Sequence, residues 1–204
     1  ETIRFSVQKD LAELFRHTLR SSPRNRYQTM QPVIDILCRI CEKLSVKEYI
    51  VAPEVRANEF FVGRSNEYGE LSARLEAERL IFLCGIGGIG KSELAKQYAI
   101  RNKQKYDNIL YLPYTGDFEE TICQDHVTVA TVERVDDESN HHFCWRKLHA
   151  IKRCLCGNSL IIIDNLNSRL EDIEDQSVWE FLLSFPCEII VTTRAEQTQN
   201  MLRI

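Results

Sequence analysis

Residues 83–99 read LCGIGGIGKSELAKQYA. Four of the chain's eight glycines fall within six consecutive positions of this stretch, at Gly85, Gly87, Gly88 and Gly90. The apolar run Leu80-Ile81-Phe82-Leu83-Cys84 leads into it, and Leu94, Ala95, Tyr98 and Ala99 follow at helical spacing. Strand, glycine loop and helix therefore come in that order. Gly85, Gly90, Lys91 and Ser92 occupy the fixed positions of G-x-x-x-x-G-K-[ST]. A loop that wraps a polyphosphate must turn its backbone N–H groups inward, which takes backbone angles that side chains resist. The helix starting near Gly90 aims its N-terminal amides and positive dipole end at the same point. Lys91 is placed to reach the β- and γ-phosphates, and the Ser92 hydroxyl to ligate Mg²⁺.

Two further strands end in polar groups. Leu160–Ile163 runs into Asp164 and Asn165, and Glu188–Thr192 runs through Thr193 into Arg194. Apolar strands of this kind sit inside a sheet covered on both faces, and their C-terminal ends are where such sheets bind ligands. Asp164 is thus expected to serve Mg²⁺, usually through water. Arg194 is expected near the γ-phosphate, where a guanidinium distinguishes triphosphate from diphosphate.

The rest of the chain supplies the frame. A chain of 204 residues holds one full domain and a small second one. A net charge of −4 argues against broad nucleic-acid binding, which needs a basic face. No stretch is long and apolar enough to cross a bilayer. The start, Glu1-Thr2-Ile3-Arg4, has no initiator Met and no signal pattern, so the chain reads as cut from something longer. The eight cysteines lie mostly in apolar runs and read as reduced thiols of a cytoplasmic protein.

Residues 1–55 read as a helical N-terminal segment. Its first stripe is Val7, Leu11, Leu14, Phe15 and Leu19, and a break follows at residues 21–25. A second helix starts near Pro32 and carries Val33, Leu37, Ile40, Cys41 and Leu44. Residues 51–60 read as a linker. Ser65 is expected to cap a helix carrying Tyr68, Leu71 and Leu75. The helix after the glycine loop is expected to reach about Tyr106, and the next strand is Ile109–Leu112. Residues 115–141 are poorly patterned, with a short strand within Val127–Val132 and a solvated acidic run at 136–138. A helix spans about Cys144–Leu155. Strands alternating with helices predict a mainly parallel α/β sheet.

Some residues carry no site on this reading. His141, His142, Cys144, His149, Cys154 and Cys156 do not have the spacing of common zinc motifs, and on a helix Cys144 and His149 point to different faces. Cys38 and Cys41 have C-x-x-C spacing but lie inside a helical stripe, not at a strand-to-helix turn. Trp145 and Trp179 read as packing residues.

Taken together, "GIGGIGKSELAKQYA", "LIIIDN", "IIVTTR", "YDNILYLPY" and "FFVGR" resemble the NB-ARC-like branch of the STAND ATPases, nucleotide-driven signalling switches. The resemblance covers about residues 59–200. It implies a P-loop NTPase fold, a three-layer α/β/α sandwich preceded by a small helical segment, with the nucleotide-binding domain over residues 56–204. The sensor strand would lie between the phosphate-loop strand and the Walker B strand. It also implies that ATP or ADP is held with Mg²⁺. Phe61, Val62, Gly63 and Arg64 would line the adenine and ribose side. Gly85, Ile86, Gly87, Gly88, Ile89, Gly90, Lys91 and Ser92 would hold the phosphates, and Glu93 would belong to the same nucleotide-binding stretch. In such proteins nucleotide exchange governs self-association or a fused effector.

Three departures from the family pattern stand out. Ser65 replaces the first of two acids that usually follow the Gly-Arg pair, while Glu67 keeps the other. Asn165 replaces the second Walker B acid; an amide positions water but cannot accept its proton, so hydrolysis is expected to be slow, or its base to be Glu93 or Asp117. Finally, the chain is expected to stop before the family's fifth strand, helical lid and winged-helix domain.

Overall fold

The computed structural model describes residues 2–20, 22, 24, 26–44, 50–51, 55–58, 63–124, 127–129, 132–155, 158–196 and 200–204. It divides into two compact units, residues 1–47 and 48–204.

The first unit is a helix pair, α1 (Thr2–Thr18) and α2 (Gln31–Leu44). Pro32 sits in the first turn of α2, where its missing N–H costs nothing. Val7, Ile36 and Ile40 are buried together, with Leu11, Leu14 and Tyr27 packed around them. The first stripe is narrower than expected, because Phe15 and Leu19 are exposed; so is Leu37 in the second.

The second unit contains β1 (Ile50–Val51), α3 (Ser65–Glu78), β2 (Leu80–Cys84), α4 (Lys91–Arg101), β3 (Asn108–Pro113), α5 (Phe118–Cys123), β4 (Thr128–Val129), α6 (Asn140–Cys154), β5 (Ser159–Asp164), α7 (Gln176–Leu183), β6 (Glu188–Thr193) and β7 (Met201–Arg203). Five strands form one sheet in the order β3-β5-β6-β2-β7, and every neighbouring pair is parallel. The sensor strand β6 does lie between β2 and β5. All five C-terminal ends therefore share one edge.

Alternation along the strands builds the two outer layers. Ile81, Leu83, Leu160, Ile162, Ile190 and Leu202 pack with Leu71 and Leu75 of α3 and with Leu94, Ala95, Tyr98 and Ala99 of α4. Phe82, Cys84, Ile161, Ile163, Ile189 and Val191 pack on the other face with residues of α5, α6 and α7. Cys144 belongs to this second core, whereas His149 is exposed and packs against Phe181, so the two do face different ways. Trp179 is a core residue, as expected.

Several boundaries differ from the sequence reading. Ser65 does not cap α3; Arg64 occupies the N-cap, and no side chain caps there. The helix starts one residue earlier than expected, and Arg64 pairs with Glu67 of its first turn at 2.8 Å. Helix α4 stops at Arg101, and the Asn102 side-chain amide donates to the Tyr98 carbonyl at 2.9 Å at its end. Val51, expected in a linker, pairs in β1 antiparallel to β4, which is shorter than expected. Helix α6 begins at Asn140, where the Ser139 hydroxyl accepts from the His142 N–H at 3.2 Å. The expected end before the fifth strand is overturned: β7 adds to the open side of β2, pairing Phe82 with Met201, Leu83 with Leu202 and Cys84 with Arg203.

Candidate phosphate-binding site

The glycine loop joins β2 to α4 at the shared C-terminal edge. Gly88 has φ +78° and Gly90, the N-cap of α4, has φ +102°. Both lie in the left-handed region that glycine enters without steric cost. Gly85 is packed against the chain's last residue: a Cβ there would lie 2.8 Å from the Ile204 carbonyl oxygen. At Gly87 a Cβ would lie 3.2 Å from Cζ of Arg194, so the missing side chain is what lets the Arg194 guanidinium rest on the loop. The first-turn amides of α4 have no intrahelical acceptor and open onto the same space.

Lys91 is buried at 8% exposure. Its ammonium donates to the carbonyls of Gly85 and Ile86, each at 2.9 Å. Burial, and then the Arg194 cation, hold its pKa below the usual lysine value, against the opposing pull of Cys84 and Asp164. The loop thus carries two cations close to its own glycines.

Parallel register places Asp164 beside Thr192, because Ile162 pairs with Ile190 two residues earlier. Asp164 Oδ1 accepts from the Thr192 hydroxyl and Oδ2 from the Tyr111 hydroxyl, both at 2.5 Å. Burial, and then the bond to Asp164, keep the Tyr111 phenol protonated well above its ordinary range. Each Asp164 oxygen retains acceptor capacity after these bonds. That donor set fits a hard cation held through water.

Beyond β5 the chain turns sharply. Asn165 has φ +70°, a conformation that Asn tolerates better than most residues. Its backbone N–H donates to Thr192 Oγ1 at 2.8 Å. Its side-chain Oδ1 accepts from Asn167 Nδ2 at 2.7 Å, and Asn167 Oδ1 accepts from the Arg194 backbone N–H at 3.1 Å.

These groups border an open cleft of about 260 Å³. Gly87, Gly88, Gly90, Lys91, Ser92 and Glu93 line it from the loop and α4; Asn165, Asn167, Thr192 and Arg194 line it from the strand ends. Asp164, bonded to Thr192, is not among the lining residues. Ile86 projects outward at 74% exposure. The Ile89 carbonyl accepts from Arg64 Nη2 at 2.8 Å, which splints the segment before α3 to the loop. Gly63 and Arg64 line a separate cavity of about 230 Å³ with Tyr68, Leu94, Gln97 and Arg101. Phe61 and Val62 lie outside the described residues. Of the two candidate bases, Glu93 reaches the cavity, and its carboxylate accepts from the Asn58 N–H. Asp117 instead caps α5, accepting from the Glu120 N–H at 2.5 Å, and lines no part of this cavity.

Sequence reading missed Tyr111, Thr192 and Asn167. Thr192 and Tyr111 share strand parity with residues of the α4-side core, and only the register reveals that both hydroxyls meet Asp164.

Comparison with known families agrees with this geometry. The NB-ARC domain family model matches residues 66–203. That stretch runs from the first turn of α3 to the last residue of β7. No curated protein sequence matches the chain.

Proposed function

The chain belongs to the NB-ARC domain family, a family of nucleotide-binding signalling modules, and from that premise we propose that it is an ATP/ADP-dependent regulatory switch. The observation that carries the reading is the convergence of the glycine loop, Lys91, Ser92 and Arg194 on one cavity at the C-terminal edge of a parallel sheet. On this reading the loop amides and Lys91 hold the phosphates. Ser92 and Asp164 would hold Mg²⁺, which when bound neutralises phosphate charge. Arg194, lying against Gly87, would sense the γ-phosphate. ADP then marks the resting state, and exchange for ATP shifts the population toward an assembling state through contacts that only the triphosphate makes.

Hydrolysis is expected to be slow and Mg²⁺-dependent, because position 165 carries an amide. The same residue supports a second reading, a nucleotide-retaining scaffold without significant turnover. A cytoplasmic location, self-association and control of an effector belong to this proposal too, as does an adapter role for residues 1–55.

The test is to denature the purified protein and separate whatever it releases by chromatography. Near-stoichiometric ADP is the expected result. An absence of nucleotide, together with no calorimetric binding of added ADP, would overturn the reading.

A further inference from the structure

The amide of Asn165 has a fixed direction. A backbone N–H can only donate, so the bond from the Arg194 N–H identifies the Asn167 side-chain atom at 3.1 Å as oxygen. The other end of Asn167 is therefore its NH₂ group, and that group donates to Asn165 at 2.7 Å. The Asn165 atom that receives it is then Oδ1. Two successive bonds thus orient Asn165 with its oxygen engaged and its Nδ2 left over. Nδ2 has no hydrogen-bond partner among the described residues, and Asn165 is exposed on the wall of the cavity.

The surroundings give that NH₂ group a chemical meaning. Lys91, Ser92 and the loop glycines line the cavity from the side of α4, and Arg194 lines it from the strand ends beside Asn165. Nearly all of these are donors. The one carboxylate of the lining, Glu93, accepts from the Asn58 N–H and keeps further acceptor capacity, so it, and not Asn165, is the acceptor open to a water. A water poised for attack needs an acceptor beside it, and Asn165 offers a donor instead. An oxygen-rich anion is what such a wall binds.

Resting on the nucleotide-site reading, we infer that Asn165 is a specificity-determining residue that donates to the terminal phosphate of a bound nucleoside triphosphate, and that Asn167 positions it. Replacing the usual acid by an amide therefore does more than remove a base. It converts a group that repels the terminal phosphate into one that holds it, which favours retention of ATP over its turnover.

Calorimetric titration of the whole chain with Mg²⁺-ADP and with the Mg²⁺ complex of the non-hydrolysable β,γ-imido analogue of ATP tests this. Asn165→Asp is isosteric and keeps the acceptor for Asn167 while turning the free end from donor to anion. It should lower the triphosphate-to-diphosphate affinity ratio by about tenfold or more, and Asn165→Ala by about tenfold. Asn167→Ala frees the amide to rotate and should lower the ratio by a smaller factor, an effect that a purely structural role would not produce. An unchanged ratio in Asn165→Ala, or a ratio raised by Asn165→Asp, overturns the inference while leaving the nucleotide site standing. Failure of the unmutated chain to bind either nucleotide overturns the site reading itself, and the inference with it.

Discussion

The Tyr111 hydroxyl donates to Asp164 Oδ2 at 2.5 Å, bridging from β3 to the carboxylate at the end of β5. Thr192 holds the other oxygen from β6, so Asp164 is anchored to the strands on both sides of its own. Groups that orient a metal-binding carboxylate are typically worth 10- to 100-fold in metal affinity. Tyr111→Phe keeps the ring and its packing under Lys96, whose ammonium lies 5.0 Å from the ring centroid. It should raise the Mg²⁺ concentration that half-saturates the Mg²⁺-dependent part of ADP binding by about tenfold. Titrating Mg²⁺ at fixed ADP measures this. An identical midpoint would deny Tyr111 any part in holding the cation.

Lys91 is held by two loop carbonyls. A bound phosphate competes for the same ammonium, and charge-assisted bonds are stronger than those to neutral carbonyls. Lys91→Ala should weaken ADP binding by at least about tenfold. Wild-type affinity in that variant, read by calorimetry, would remove the loop from the site.

The elements set by local pattern were legible in the sequence. The glycine spacing marked the loop, and the apolar runs marked β2, β5 and β6 to within a residue or so. What was missed depends on distant partners. Helix α5 is only six residues long, and its cap at Asp117 lies in a stretch without periodicity. Strand β7 has three residues and is a strand because the free side of β2 recruits it. Thr192 sits in the quoted sensor strand, but its bond to Asp164 follows from the register of β5 on β6. Asn167 carried no signal: its role comes from a sharp turn at Asn165 that brings it back against Arg194.

Gly85 and Gly87 should respond differently to alanine. At Gly85 the added Cβ meets the Ile204 backbone carbonyl at 2.8 Å and Ile89 Cγ2 at 3.3 Å. Backbone cannot step aside cheaply, so Gly85→Ala should cost about 1–3 kcal/mol. At Gly87 the neighbour is the end of the flexible Arg194 side chain, which can swing away. Gly87→Ala should therefore melt near wild type yet lose part of its preference for triphosphate. Thermal melts of the two variants separate these outcomes. Equal losses in both would mean that Arg194 is held as rigidly as the backbone.

Asp175 precedes α7 without capping it, and its Oδ2 is buried with no hydrogen-bond partner among the described residues. Burial, then the neighbouring Asp117 carboxyl, push its pKa up from 3.8 to about 6; Glu119 contributes both a backbone bond that lowers it and a charge that raises it. The folded state therefore binds this proton more tightly than the unfolded chain. Its contribution to stability is full below about pH 4 and is lost as pH rises through about 6. Asp175→Asn removes the titration and supplies an N–H donor for Asp117. The variant should be more stable than wild type at pH 7.5, by roughly 1 kcal/mol once solvent screening is discounted. At pH 4 the gap should close. Urea midpoints for both proteins at the two pH values measure the difference, and a gap that does not change with pH would separate Asp175 from any shared proton.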